Sequence, residues 1–299
     1  MIGSVLALLA GFSFSVSNVF IRKGVHRSGE AFSLIPLFAL MGTVFFGLPV
    51  LISGEIERLA SVSWVALTML AVAGIIHFIL GRLLGFSGMN IIGANRAVPI
   101  MTGSILFSAL MGIFWLGEPV TIFKVLAIAL IICGVLLISS TGNSGVEKPV
   151  SRGLLVKGFL LTLLGALCWG ISPALIKVGL REVSSPVLAT FVSYAAAFVV
   201  IGLSLFHPAN AQKVRRLSRA ALIPLIFGAL AVTTAQILRY TALSYGGVSV
   251  VEPLSGSMNS LFIFPLSFFM NRKLEAFNLR IMVGAIAIVV GIFLMFWLV

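Results

Sequence analysis

GRLLGFSGMNIIGANRAVPIMTGSILFSALMGIFWLGEPVTIFKVLAIALIICG, residues 81–134, has a second copy further along the chain. A shift of 157 positions (239 − 82) lays Arg82 on Arg239, Ser87 on Ser244, Asn95 on Glu252, Glu118 on Glu275 and Gly134 on Gly291 without a gap. Polar and special residues recurring at one constant offset indicate an internal duplication. The first helices of the two halves also correspond: FSVSNVFIRKG ends at Gly24 and WGISPALIKVG at Gly179, an offset of 155 (179 − 24). The two-residue difference has to be absorbed in a loop.

The solvent around these helices follows from composition. Hydrophobic residues make up 60% of the 299 and charged residues 9%, with a mean hydropathy of +1.19, so a water-soluble fold could not cover the apolar side chains. Lipid is the expected solvent. At about 20 residues per spanning helix the length holds roughly ten spans. These are expected at residues 3–21, 32–52, 64–87, 92–116, 122–140, 156–177, 187–206, 221–244, 248–270 and 278–298. The start of the chain, with no basic stretch before its apolar run, reads as a first transmembrane helix rather than a removed signal.

Gly, Asn, Ser and Pro concentrate in TGNSGVEKPVSR, which marks a linker over 141–155 between a first repeat, 1–140, and a second, 156–299. The fold class is therefore an all-α membrane protein of ten transmembrane helices in two five-helix repeats. Because five is odd, the second copy enters the membrane from the opposite side, and the repeats are inverted. A polar pocket between two such copies is how secondary transporters give one site access to both faces.

The net charge of +12 does not point to nucleic acid, because the basic residues are scattered between apolar runs. Thirteen Lys and Arg fall in odd-numbered connections and four in even ones, which places both termini outside by the positive-inside rule. All eight acids are Glu, and of these only Glu252 falls inside a span. That removes most paired-carboxylate and metal schemes, and no cofactor is expected. Cys133 and Cys168 lie in apolar segments without a CxxC and are assigned to packing.

Arg82, Arg96 and Arg239 fall within apolar spans, where an unpaired charge costs several kcal/mol. Arg239 and Glu252 lie equally far from a turn near Tyr245 and should meet across a hairpin as a structural or coupling pair. The same construction about a turn near Gly88 sets Arg82 against Asn95. There an amide replaces the acid, leaving Arg82 to meet an anionic group such as a substrate carboxylate. The alternative is that the arginines satisfy helix-end carbonyls or reach the interface. Asn18, His77, Trp169, Gln236, Tyr240 and Asn259 complete the candidate substrate-binding set with Arg82 and Arg239. Singly, interhelical hydrogen bonding, worth about 0.6 kcal/mol on average, explains each of these six better than substrate contact. Glu252 could couple transport to protons if burial raised its pKa, although Arg239 beside it acts the other way.

The two five-helix repeats, the LGE of Leu116–Glu118 closing the fourth helix and the AIALIICGVLLIS that follows it resemble the EamA domain of the drug/metabolite transporter superfamily. The resemblance covers nearly the whole chain. It implies a ten-helix carrier with a central cavity built mainly by the third, fourth, eighth and ninth helices together with the first and sixth. It also implies cytoplasmic termini, against the loop charges. Members move amino acids, their derivatives, sugars and other small metabolites, often outward across the bacterial cytoplasmic membrane. The second copy, MNRKLEAF at Met270–Phe277, keeps Glu275 but lacks the glycine.

The expected function is thus a secondary transporter of a small polar metabolite, an amino acid or related compound, by alternating access. A sugar is an alternative cargo. An intramembrane enzyme would need paired acids, a Ser beside a His, or a metal cluster, and the sequence has no HExxH and no GxSxG. A membrane scaffold that moves no solute is the third class.

Overall fold

A computed structural model describes residues 1–28, 34–139, 151–215, 219–270 and 279–297. Glu275 and linker residues 141–150 lie outside the described residues, as does the side chain of Asn95. Among the described residues the long elements are all helices: α1 (Ile2–Ser28), α2 (Leu34–Ile52), α3 (Trp64–Ile92), α4 (Ala94–Leu110, continued by a wide turn Met111–Trp115), α5 (Ile122–Ser139), α6 (Arg152–Leu180), α7 (Pro186–Ser204), α8 (Arg219–Tyr245), α9 (Val248–Met270) and α10 (Leu279–Trp297). Seven of these segments are long and apolar enough to cross a membrane by themselves.

Local chemistry sets the boundaries. Ser63 caps α3 by accepting the Ala66 N–H at 3.1 Å, and Ser185 caps α7 from just before Pro186. Both satisfy N–H groups that a helix start leaves without partners. Helix α6 begins at Arg152, inside the stretch expected as linker, because Ser151 is extended and its carbonyl accepts the Leu155 N–H at 2.9 Å. The turn between α3 and α4 falls at Gly93, whose φ of 81° a glycine adopts without penalty, and not near Gly88. Arg82 is therefore 11 residues (93 − 82) from the turn and Asn95 only two (95 − 93), so the expected level placement of these two is corrected.

The chain is turned inside out relative to a soluble protein. Leu48, Val199, Phe227 and Phe293 are exposed, while Ser15, Thr162, Ser172, Ser193, Gln236 and Arg239 are buried. That inversion is what a lipid solvent selects, since polar groups must find partners inside the bundle.

Each half packs chiefly on the other. Helix α1 lies against α8 and α9, α6 against α3 and α4, α2 against α7, and α5 against α10. The glycines record the register of this packing. A Cβ on Gly24 would strike Leu225, and one on Gly179 would strike Leu70, both members shifting by 155. Gly3 against Gly246 and Gly158 against Ile91 follow the same offset, as do the contact of Ser15 with the Asn259 carbonyl and that of Gly170 with the Ser104 carbonyl. In α5 and α10 the offset is 157: Gly134 meets Gly284 and Ile288, and Gly291 meets Ala127 and Ile131.

The two extra residues therefore enter between α9 and α10, later than the sequence match suggests. At the packing offset Arg82 corresponds to Ile237 (82 + 155) and Arg239 to Leu84 (239 − 155). The arginines recur in sequence but do not occupy equivalent positions.

Gly3, at the start of α1, and Lys177, near the end of α6, both touch the α8–α9 turn at Gly246, whereas Gly158, at the start of α6, touches the end of α3. The first helices of the two halves thus run in opposite directions. The α3–α4 and α8–α9 turns lie at opposite ends of α6, about 28 Å apart for 19 residues (177 − 158) at 1.5 Å each.

Candidate functional site

Four helices bring their polar side chains to one partly buried chain of hydrogen bonds. Arg239 on α8 donates from Nε to Glu252 Oε1 on α9 at 2.7 Å, and from Nη1 to Gln236 Oε1 at 3.3 Å. Gln236 Nε2 lies 3.2 Å from His77 Nε2 on α3, and His77 Nδ1 lies 2.8 Å from the Ser172 hydroxyl on α6. Because Gln236 Nε2 can only donate, His77 Nε2 is the acceptor. Its proton then sits on Nδ1 and points at Ser172.

This arrangement has a local cause in α3. Residues Ile75–Leu80 form a π-turn, in which the Gly81 N–H reaches back to the Ile76 carbonyl. The widened turn leaves the next carbonyl, that of His77, to accept the Trp169 indole N–H at 3.1 Å. A Cβ on Gly81 would come within 2.5 Å of that indole nitrogen. Such π-turns inside helices concentrate at functional positions. Trp169, Ser172 and His77 are thus tied into one cross-repeat junction between α3 and α6.

A second junction joins α1 to α9. Asn18 Nδ2 donates to Asn259 Oδ1 at 3.0 Å, and the Ser15 hydroxyl reaches the Asn259 carbonyl at 2.8 Å. Tyr240 does not join the polar chain. It is buried beside Leu243, Val251 and Leu254, with the Ser193 side chain close enough to interact with its hydroxyl, so of the candidate residues on α8 only Gln236 and Arg239 enter the polar chain.

Arg82 is half-buried and has no carboxylate partner among the described residues. Its guanidinium lies over the Phe38 ring, 5.1 Å from the centroid. One turn earlier on the same helix Phe78 stacks on Tyr194 of α7, centroids 4.2 Å apart. Among the described residues the buried Tyr194 hydroxyl makes no hydrogen bond of good geometry, although Thr233 and Arg82 are both close enough to interact with it. His77 lies within the field of both Arg82 and Arg239. The sequence places Tyr194 among the polar groups at helix depth, but outside the candidate substrate-binding set. The available signal was a phenol in a span of otherwise apolar and hydroxylic residues, where its oxygen needs a partner.

No group of three or more metal-ligating side chains occurs among the described residues. A separate groove of about 280 Å³ opens at the far end of α6, lined by Ile92, Arg96, Ile100, Leu155, Val156 and Phe159. It does not touch the polar chain.

Comparisons with known proteins agree with this architecture. A solved crystal structure superposes on 96% of this chain and 94% of its own, with a TM-score of 0.73 at 18% identity, which is a likeness of fold. An uncharacterized transporter of Methanothermobacter thermautotrophicus is 24% identical over 232 residues, 77% of this chain. The chain spans 64% of that relative's length. The model of the EamA-like transporter family matches residues 1–140 and again 156–297. With both halves matched, this multi-pass membrane protein belongs to the EamA-like transporter family.

Proposed function

We propose that the protein is a secondary transporter in the cytoplasmic membrane that moves a small carboxylate-bearing metabolite, an amino acid or a close relative, outward by alternating access. Ten helices in two inverted five-helix repeats would rock about the polar junctions that join them. The reading is supported by the antiparallel run of α1 and α6 and by packing contacts that recur at fixed offsets.

The observation that carries the substrate class is charge. Arg82 and Arg239 supply two cations and Glu252 one anion, a surplus of one positive charge (2 − 1) among the described residues of this region. Glu252 is taken by Arg239, so Arg82 is the cation left for a ligand. The Tyr194 hydroxyl beside it is the second group that would gain by meeting a carboxylate. His77 and Gln236, fixed by their mutual contact, would line the path with Trp169, Asn18 and Asn259. Proton coupling through Glu252 would require its release from Arg239 during the cycle.

The test is flux into liposomes containing the purified protein, with labelled aromatic and aliphatic amino acids against sugars and nucleotides. The expected outcome is saturable uptake of an amino acid and loss of it in Arg82→Ala. An Arg82→Ala protein that transports at the normal rate removes the anion role. Uptake of sugars alone would move the cargo to the uncharged class.

A further inference from the structure

Glu118 belongs to the first half of the chain, yet its carboxylate is engaged by the second. Oε1 accepts the backbone N–H of Val248 at 2.5 Å and Oε2 that of Ser249 at 2.8 Å, with the Ser249 hydroxyl as a third donor. These amides open α9 and would otherwise lack partners. The LGE motif exists locally to make this reach. Gly117, at φ 70°, turns the chain back on itself, and the Glu118 N–H bonds the Gly112 carbonyl at 3.0 Å. Two glycines leave room for the carboxylate: a Cβ on Gly112 would lie 2.8 Å from Glu118 Oε2, and one on Gly247 2.8 Å from its carboxyl carbon.

The other side of the same turn is held by a cation. Lys177 of α6 donates from Nζ to the Leu243 carbonyl at 2.5 Å and to the Gly246 carbonyl at 2.9 Å, where α8 ends. An anion sits at a helix start and a cation at a helix end, each the sign that the helix dipole favours. The α8–α9 turn is therefore gripped by five hydrogen bonds, three to Glu118 and two from Lys177. All five must break if this hairpin is to move away from α4 and α6.

We propose that the Glu118–Lys177 grip is a releasable latch that closes one face of the carrier, not a permanent helix cap. It rests on the alternating-access reading and adds to it the element that holds one face shut. The bonds are charge-assisted and lie at the end of the bundle, with both side chains only half-buried. Water can replace them when the hairpin swings out. The α3–α4 turn, at the opposite end of α6, should respond in the reverse sense, since one face opens as the other closes.

The test is amide hydrogen exchange of the full chain in lipid nanodiscs, read in peptides covering residues 243–251 and 91–97, for the wild type, Glu118→Gln and Lys177→Met. A latch predicts that both variants speed exchange at 243–251 by about tenfold, the loss of one or two charge-assisted bonds, and slow it at 91–97. A rise at 243–251 without any fall at 91–97 would make the grip a static cap and overturn the proposal. Unchanged protection of α2 and α7 identifies variants that remain folded, and Lys177→Met serves if Glu118→Gln does not. A reciprocal response in a protein that moves no solute would sink the transporter reading while leaving the latch. Flux together with a merely local response would do the opposite.

Discussion

At the scale of single residues, the decisive quantity is whether a buried polar group has a partner. Arg239 is 3% exposed at its side chain and Glu252 15%, so neither charge can turn to water when the other is removed. Glu252→Gln should cost about 3 kcal/mol of stability, the penalty of breaking a buried pair, read as a lowered unfolding temperature in detergent. A change below about 1 kcal/mol, typical of exposed pairs, would show that water reaches the site. Tyr194 presents the reverse case. Its buried hydroxyl makes no hydrogen bond of good geometry among the described residues, so Tyr194→Phe should leave the empty protein as stable or up to about 1 kcal/mol more stable. If the hydroxyl meets the substrate, the same variant should transport with a raised KM. Stability gained with no change in KM would remove Tyr194 from the site.

At the scale of elements, the glycines of this chain divide into those required by neighbours and those required by backbone conformation. Gly165 lets α6 approach α3 so closely that an added Cβ would lie 2.6 Å from the Gly85 nitrogen. Backbone cannot yield as a side chain tip can. Gly165→Ala should therefore force α3 and α6 apart, with a cost in the 1–3 kcal/mol range of overpacking and disruption of the His77–Trp169 contact. Gly153, with nothing within 4 Å of an added Cβ, is the control. As a helical glycine, it should gain about 0.5–1 kcal/mol on replacement by Ala. Gly117→Ala has open space too but a φ of 70°, so strain of about 1–2 kcal/mol is expected there. If these three substitutions had equal effects on the unfolding temperature, the packing account would fail.

At the scale of the whole molecule, the dominant contacts run between the halves, α1 with α8 and α6 with α3 foremost. Neither half can bury its own polar junction residues without the other. Residues 1–140 and 151–299, produced as separate chains, should each be degraded or aggregate when made alone and should co-purify when made together. Two halves that are each stable alone would contradict a fold held by cross-repeat packing.

The sequence by itself determined the lipid solvent, the helix positions to within a few residues, the duplication and the meeting of Arg239 with Glu252. These follow from composition and from counting along a hairpin, which are one-dimensional facts. It could not determine the register in which the copies pack. The arginines repeat at 157, whereas the side chains of α1–α4 and α6–α9 interlock at 155, because glycine contacts and not charge set how close two helices lie. Nor could it place the π-turn at Ile75–Leu80, which is what brings His77 to Ser172 and its carbonyl to Trp169. His77 beside Gln236, Phe78 against the Tyr194 ring, and Val248 and Ser249 on Glu118 lie 116 (194 − 78) to 159 positions away in the chain. Only tertiary structure decides them, because a polar side chain in lipid bonds whatever helix packing sets beside it, and no local pattern records that neighbour.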